Sequence, residues 1–482
     1  MRLALVSVDT VEALPPLGLG YLASYLRKYA NFENTAIIDK ENLFKGIKRA
    51  KPDVVGISCT TLDFMKSWAL AKQVKQELDL PILLGGFHVT ALPHKMPREF
   101  DVGVIGEGED VLLELVNAFE KRGGFNSADL SKIKSLAYWD NGKVKLTERR
   151  KNIEPLDRIP FPARDLLKMR EYYLKPARHT FDKLSIGTSI LTTRGCMYEC
   201  IFCSQTGFWQ HTMRFFSPEY VVAEMREIVD NYKIDMLRIM DDLFAVNKKR
   251  VAKIAELMKK EGITDKVELH VFGRTNLINE EMCRHLRQMN VKYINFGLES
   301  GSERILRFLK KGSVTVEQHK RALDLCKKHG LLVDASFIFG TPGETKRDIF
   351  KTFELVRDPA IKSVMFFKLT PVPSSAIWDY AFKRGIVNED MNWNDLDASI
   401  GSEKLPHLND AMSKEEFKKI LPLIEEEYRQ CNYSRGAPKI KLRYLLNKNL
   451  IKRFLSNWKG YSKEFIFRIK QKYFMPKGQK AE

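Results

Sequence analysis

Three cysteines carry the first chemical signal. Thr193-Arg194-Gly195-Cys196-Met197-Tyr198-Glu199-Cys200-Ile201-Phe202-Cys203 gathers three thiols on one short segment, directly after an apolar run. The other four of the 7 cysteines, Cys59, Cys283, Cys326 and Cys431, stand alone in apolar or helical contexts. An odd, sparse set in 482 residues is no disulfide framework. Three thiolates on a short loop suit a soft, electron-rich metal centre. A closed structural zinc site takes four protein ligands, and His211 keeps a Cys3His site open as the alternative. A cubane iron–sulfur cluster held by three cysteines instead leaves one iron open to a substrate or cofactor.

Polar and glycine-rich segments recur downstream at the ends of apolar runs. They are Met240-Asp241-Asp242-Leu243-Phe244, then Arg274, then Gly297-Leu298-Glu299-Ser300-Gly301. Phe339-Gly340-Thr341-Pro342-Gly343-Glu344-Thr345 and Thr370-Pro371-Val372-Pro373-Ser374-Ser375 complete the series. Acidic and basic side chains on neighbouring strand ends can clamp a zwitterion. Each also has a plainer reading. Asp241 and Asp242 suit an N-cap pair, Glu299 an ion pair, and Gly340 a turn. A second group lies upstream: Ser58-Cys59-Thr60-Thr61, Gly85-Gly86-Phe87-His88-Val89-Thr90 and Ile105-Gly106-Glu107-Gly108-Glu109.

Two βα series must position these residues. Leu3–Val8, Val54–Ser58, Ile82–Leu84 and Val102–Ile105 read as buried parallel strands, alternating with helical spacing over Leu17–Tyr29, Leu62–Leu78 and Asp110–Lys121. This predicts an α/β fold opening with a doubly wound parallel sheet, whose ligands bind outside the carboxyl ends of the strands. Ser135–Thr147 reads as a hairpin turning at Asn141-Gly142, and Ile153–Ala163, with three prolines, as a linker. The second series has strands at Ile186–Thr192, Met236–Met240, Val267–Phe272, Tyr293–Leu298, Leu332–Phe339 and Val364–Leu369. Ser217-Pro218 and Thr315-x-x-Gln318 mark helix starts. Six βα units predict a partial (β/α)6 TIM-type barrel with its chemistry at the carboxyl-end loops. Beyond residue 400 the strands stop, and Ser413-x-x-Glu416 opens a helix to about Arg429. The expected division is 1–130 for the first α/β domain, 131–180 for hairpin and linker, 181–400 for the barrel, and 401–482 for a helical C-terminal region.

C-x3-C-x2-C with an aromatic before the last cysteine, followed in order by those strand ends, resembles the radical SAM superfamily. The resemblance implies that Cys196, Cys200 and Cys203 hold a [4Fe-4S] cluster. It implies that the segment with Asp241 and Asp242 takes the amino group of S-adenosylmethionine, and that Glu299 and Ser300 lie near its ribose and carboxylate. Gly340 would lie along the adenine, and Arg274 would neutralise a carboxylate. Relatives more often carry Gly-Thr where this chain has Ser374-Ser375. Pro15-Pro16-Leu17-Gly18-Leu19-Gly20-Tyr21-Leu22 and the upstream glycine-rich segments resemble the cobalamin-binding domain of B12-dependent radical SAM enzymes. Ser58, Thr60, Thr61, Gly85, Gly86, His88, Thr90, Gly106, Glu107 and Gly108 are the implied cobalamin contacts, with His88 also readable as a turn histidine. The Asp-x-His-x-x-Gly loop of cobalamin-dependent mutases is absent, as are a P-loop and a GxGxxG opening a helix.

What the resemblance implies is reductive cleavage of S-adenosylmethionine to a 5′-deoxyadenosyl radical, hydrogen abstraction, and methyl transfer from methylcobalamin to an unactivated carbon of a small molecule or lipid. A B12 radical SAM cyclisation or rearrangement, an RNA- or protein-modifying enzyme, and a non-catalytic cofactor-holding module are the alternatives. An external electron donor of flavodoxin or ferredoxin type is implied as well. The formal charge of +19 does not argue for nucleic acid. Residues 437–482 hold 13 Lys and Arg against 2 Asp and Glu, a net +11, leaving +8 for residues 1–436. In that tail Leu446, Leu450, Phe454, Trp458, Tyr461, Phe465, Ile469 and Tyr473 recur at helical spacing among basic residues. Packing on the barrel, an anionic membrane surface and nucleic acid are its readings, nucleic acid the weakest. Neither a signal-peptide core nor a run of about 18 apolar residues is present, so a cytoplasmic protein, peripheral at the membrane's inner face if the tail docks there, is expected.

Overall fold

A computed structural model describes residues 1–8, 14–40, 42–174 and 185–433. The first sheet has seven strands: β1 (Leu3–Ser7), β2 (Thr35–Ile38), β3 (Val54–Ser58), β4 (Ile82–Gly85), β5 (Val102–Val104), β6 (Leu136–Asp140) and β7 (Lys143–Leu146). Their order is β2-β1-β3-β4-β5-β6-β7. The first five are parallel, and β6 and β7 add an antiparallel pair at one edge. The topology reverses at β1 and β3, where a doubly wound sheet opens its ligand crevice. Strand β2, a four-residue run, and the helix Leu43–Ala50 after it escape the sequence reading. The hairpin at Asn141-Gly142 forms as expected, but its strands belong to this sheet rather than to a connection.

Helix termini follow local chemistry. Leu17–Ala30 carries Arg27 and Lys28 in its last turn and ends on Asn31 at φ 51°. Glu109–Arg122 begins with Glu109 and Asp110 and stops at Gly123, φ 71°. Both patterns complement the helix dipole and place a residue that tolerates positive φ at the C-terminal turn. Thr315 and Gln318 close a capping box as expected, and Ser413 and Glu416 exchange the same reciprocal bonds at the start of Lys414–Tyr433.

The second sheet is parallel and open, with β8 (Gly187–Ile190), β11 (Met236–Ile239), β12 (Glu268–Gly273), β13 (Val291–Glu299), β14 (Leu332–Phe339) and β15 (Ile361–Lys368) in consecutive order. Between β8 and β11 a ribbon forms from β9 (Thr193–Gly195) and β10 (Met213–Phe215), antiparallel, with the cysteine loop between them. Helix Lys414–Tyr433 covers β15, where Asn432 bonds both the N–H and the carbonyl of Val364. Two hydrophobic cores run through both sheets. One joins Tyr21 and Tyr25 to Ile190 and Phe216, and the other joins Ile57 and Phe64 to Trp378, Trp393 and Leu396. The amphipathic tail, residues 437–482, lies outside the described residues.

Candidate functional site

The cysteine loop hangs from a fixed corner. After β8, buried Asp241 accepts the N–H groups of Thr192 at 2.6 Å and Thr193 at 3.1 Å and the Thr192 hydroxyl. Gly195 has φ 90°, and a Cβ there would lie 2.1 Å from the Thr212 carbonyl oxygen, so only glycine turns this corner. Cys196, Cys200 and Cys203 follow as free, half-buried thiols. Burial pushes Cys196 up, and burial with Asp242 and the neighbouring thiols pushes Cys203 to about 12. Such thiols ionise at neutral pH only when a metal displaces their protons.

His211 is turned outward, 63% exposed, with Glu199 at 3.6 Å, so it does not face the cysteine loop as a fourth ligand. Three cysteines without a fourth protein ligand fit a cluster with one open iron.

The barrel's strand ends surround this loop with engaged charges. Arg274 donates from Nη1 to Cys200 Sγ at 3.3 Å and from Nη2 to Ser313 Oγ, and its guanidinium lies 3.8 Å from the Tyr198 ring centre. The cation expected to clamp a ligand carboxylate thus backs the cysteine loop. Glu299, at φ 63°, is paired to Lys310 Nζ at 2.8 Å. Gly297 makes room for that pair, since a Cβ there would meet Glu299 Oε1 at 2.2 Å. Ser300 is buried between Thr352 Oγ1 and the Ser302 N–H. The Gly340 N–H donates to Glu344 Oε2 at 2.7 Å, and Glu344, wholly buried, is pushed up to about 8 by desolvation. For Asp241, Glu299 and Ser300 the expected cofactor contact gives way to internal bonds that hold the strand ends in place.

Asp242 differs from its neighbour. Its side chain is exposed, and desolvation and Asp241 raise it to about 6 against hydrogen bonds from Trp209 and the Gly195 backbone. Thr193 Oγ1, Asn276 Oδ1 and Thr341 Oγ1 are buried without a protein hydrogen-bond partner. The three residues escape the sequence reading because a lone Thr or Asn carries no pattern. The exposed Asp242 carboxylate fits a ligand carrying an ammonium, as S-adenosylmethionine does.

In the first domain, a cavity of about 360 Å³ opens at the carboxyl ends of β1, β3, β4 and β5. Ser58, Thr60, Gly85, Gly86, Gly106 and Gly108 line it as expected, and Arg194, Phe208 and Trp209 close it from the cysteine-loop side. A Cβ on Gly18 or Gly85 would meet nothing within 4 Å and would take up cavity space instead. A glycine floor, apolar walls and hydroxyls at the rim fit part of a bulky corrinoid. Four implied contacts are spent elsewhere. His88, 3% exposed, stacks on Phe64 at 3.7 Å and against Trp393 at 4.9 Å, and burial depresses it to about 3. Thr61 Oγ1 faces its Nδ1 at 3.4 Å. Thr90 Oγ1 donates to the Gly86 carbonyl and accepts from the Gly106 N–H, tying two lining loops together. Glu107 reaches the cavity wall, but both its oxygens are held by the barrel domain and the strap beside it. His88 is thus enclosed by aromatic rings outside the cavity lining, as the turn-histidine reading has it.

Comparison with known proteins agrees with this architecture. Residues 190–356 match the Radical SAM superfamily and residues 5–116 match the B12 binding domain. The uncharacterized methyltransferase PH0819 of Pyrococcus horikoshii is 33% identical over 440 residues, spanning 87% of this chain and 91% of its own. The anaerobic magnesium-protoporphyrin IX monomethyl ester cyclase of Rubrivivax gelatinosus is 29% identical over 381 residues, spanning 76% of this chain and 66% of its own. Among solved structures, the radical S-adenosylmethionine methyltransferase TsrM of Kitasatospora setae superposes with a TM-score of 0.66 at 19% identity, covering 80% of this chain and 77% of TsrM.

The chain belongs to the radical SAM superfamily, within the branch that carries an N-terminal B12-binding domain. It is an enzyme whose cofactors are a [4Fe-4S] cluster, S-adenosylmethionine and cobalamin. Among the described residues, no helix is long and apolar enough to cross a membrane.

Proposed function

We propose that this chain is a cobalamin-dependent radical SAM methyltransferase acting on an unactivated carbon of a small-molecule or lipid substrate. One observation carries the reading: the cavity at the first sheet and the cysteine loop of the second share a wall, made by Arg194, Phe208 and Trp209. A methyl donor and a radical source on either side of one substrate need that adjacency. The methyltransferases among the similar proteins support it as well.

When bound, the cluster with S-adenosylmethionine supplies homolytic hydrogen abstraction, and the corrinoid supplies the transferable methyl group. The protein's own part is to hold, orient and keep dry. Cys196, Cys200 and Cys203 hold iron, and Asp242 takes an ammonium once ionised above about pH 6. Phe87 tilted against Phe208 at 4.4 Å, beside Trp209, screens the junction from water. An external flavodoxin- or ferredoxin-type protein delivers the electron.

The test is product analysis on anaerobically reconstituted enzyme supplied with candidate substrates. Methyl transfer yields S-adenosylhomocysteine alongside 5′-deoxyadenosine. Turnover giving 5′-deoxyadenosine without S-adenosylhomocysteine overturns it and favours the second reading, a cyclase, which the 29% identical relative supports.

A further inference from the structure

Between the two cofactor sites lies a buried ion-pair network that neither site uses for binding. Arg194, two residues before Cys196, donates from Nη1 to Glu107 Oε1 and from Nη2 to Glu109 Oε1, both at 2.6 Å. Arg214, on β10, donates to Glu107 Oε2 at 2.9 Å and to the Ile153 carbonyl at 2.6 Å, and the Ile153 N–H closes the ring on Glu107 at 2.8 Å. All four charged side chains are at most 6% exposed. Burial acts to raise Glu107, but the two guanidiniums outweigh it and hold its carboxyl below the usual range. Two arginines against two glutamates leave no uncompensated charge. Removing one member leaves a buried charge stranded, which is why such a network has essentially one geometry.

The network joins elements that belong to different cofactors. Glu107 and Glu109 follow β5 and line the cavity together with Gly106 and Gly108. Arg194 and Arg214 lie on the ribbon that carries the cysteine loop. The far side of that loop is tied to the same domain. Arg149 donates to the carbonyls of Gly207 at 3.0 Å and Phe208 at 2.5 Å, and Asn152 donates to the carbonyl of Trp209 at 2.8 Å. Arg149 also passes within 3.4 Å of where a Cβ on Gly106 would stand. The cysteine loop is therefore held at both flanks by the carboxyl-end loops of the cobalamin domain, and Trp209 serves as wall to one site and flank to the other.

We infer that Arg194 is a positioning residue that couples the two sites: the Glu107–Arg194–Glu109 lock ties the cavity lining to the cysteine loop, so that a cofactor packed against either side restrains the other, and cobalamin and cluster each bind tighter when the other is present. Two sites sharing the residues they must order pay that ordering cost once, and the coupling is reciprocal. The inference rests on the cofactors alone. It stands or falls independently of methyl transfer, because no turnover enters its test.

The measurement is equilibrium dialysis of hydroxocobalamin against the full-length protein, with the cluster reconstituted anaerobically and without it. The wild-type protein is expected to bind roughly 5- to 150-fold tighter with the cluster, the ordinary range of coupling between two sites. In Arg194→Lys, whose ammonium cannot bridge two carboxylates, that ratio falls towards one. A merely structural loss would weaken both affinities together and leave the ratio intact. Equal wild-type affinities in the two states overturn the inference, and so does a wild-type ratio in Arg194→Lys. Should Arg194→Lys not fold, Glu109→Gln, which keeps the bond from Arg194 to Glu107, is read in its place. There an intermediate ratio supports the coupling and an unchanged one overturns it.

Discussion

The two sheets present opposite kinds of surface at their carboxyl ends. The first offers shape: glycines at 85, 86, 106 and 108, the hydroxyls of Ser58 and Thr60, and carboxylates already committed to the neighbouring domain. The second offers side-chain chemistry: three half-buried thiols and the exposed carboxylate of Asp242. A large cofactor can be held through many weak contacts against a bare backbone, whereas a small zwitterion and a metal cluster need specific charges and ligands. The domain that grips by shape therefore has charge to spare, and it spends that charge on holding the other domain's loop.

Breaking the chemical side has the largest expected effect. Cys200→Ser is expected to abolish the cluster and all cleavage of S-adenosylmethionine, read as loss of bound iron and of 5′-deoxyadenosine. It should leave cobalamin binding at the level of cluster-free protein; complete loss of cobalamin would mean that the two surfaces are not separable. Next, Asp242→Asn removes the exposed carboxylate beside the cysteine loop, and losing a charged hydrogen bond of about 1.5–3 kcal/mol predicts roughly a ten- to hundredfold weaker affinity for S-adenosylmethionine by calorimetry. Asp241→Asn, a carbon chain away, should instead lower the melting temperature, because its bonds to Thr192 and Thr193 are structural.

The shape side breaks differently. Gly85→Leu fills cavity space without a backbone clash, so about 1–3 kcal/mol of overpacking should fall on cobalamin binding with iron content unchanged. A smaller change belongs to acid stability. His88 and His319 are both buried and depressed to about 3, and their unfolded forms take up a proton near pH 6.5. Stability is therefore lost as pH falls below 6.5, by about 2 kcal/mol for each histidine at pH 5. Denaturant titration of His88→Phe should show that loss reduced by one histidine's share. The smallest expected effect belongs to residues 437–482. Deleting residues 437–482 should reduce sedimentation with anionic liposomes a fewfold, and equal pelleting would end the membrane reading.

Legibility tracked distance along the chain. The six barrel strands, the hairpin at Asn141-Gly142 and the caps at Ser217, Thr315 and Ser413 depend on neighbouring residues, and periodicity and turn chemistry revealed them. Strand β2, Thr35-Ala36-Ile37-Ile38, escaped because only its last two residues are bulky and apolar. In the sites, the structure brings Ser58, Thr60 and the expected glycines to one cavity and keeps the three cysteines as free thiols on one loop. Several of the other polar residues are engaged within the protein instead. Glu107 meets Arg194 across 87 positions, Asp241 meets Thr192 across 49, and His88 meets Trp393 from another domain.

What the amino-acid order determined by itself was therefore the pair of folds, set by local periodicity and turn chemistry, and the motifs that carry the family resemblance. Only the tertiary structure decided which charged and polar side chains remain free for ligands. A carboxylate's role is set by whichever donors reach it first, and those donors come from distant segments brought together by packing. Of two adjacent aspartates, 241 is taken up by a strand corner and 242 is left exposed.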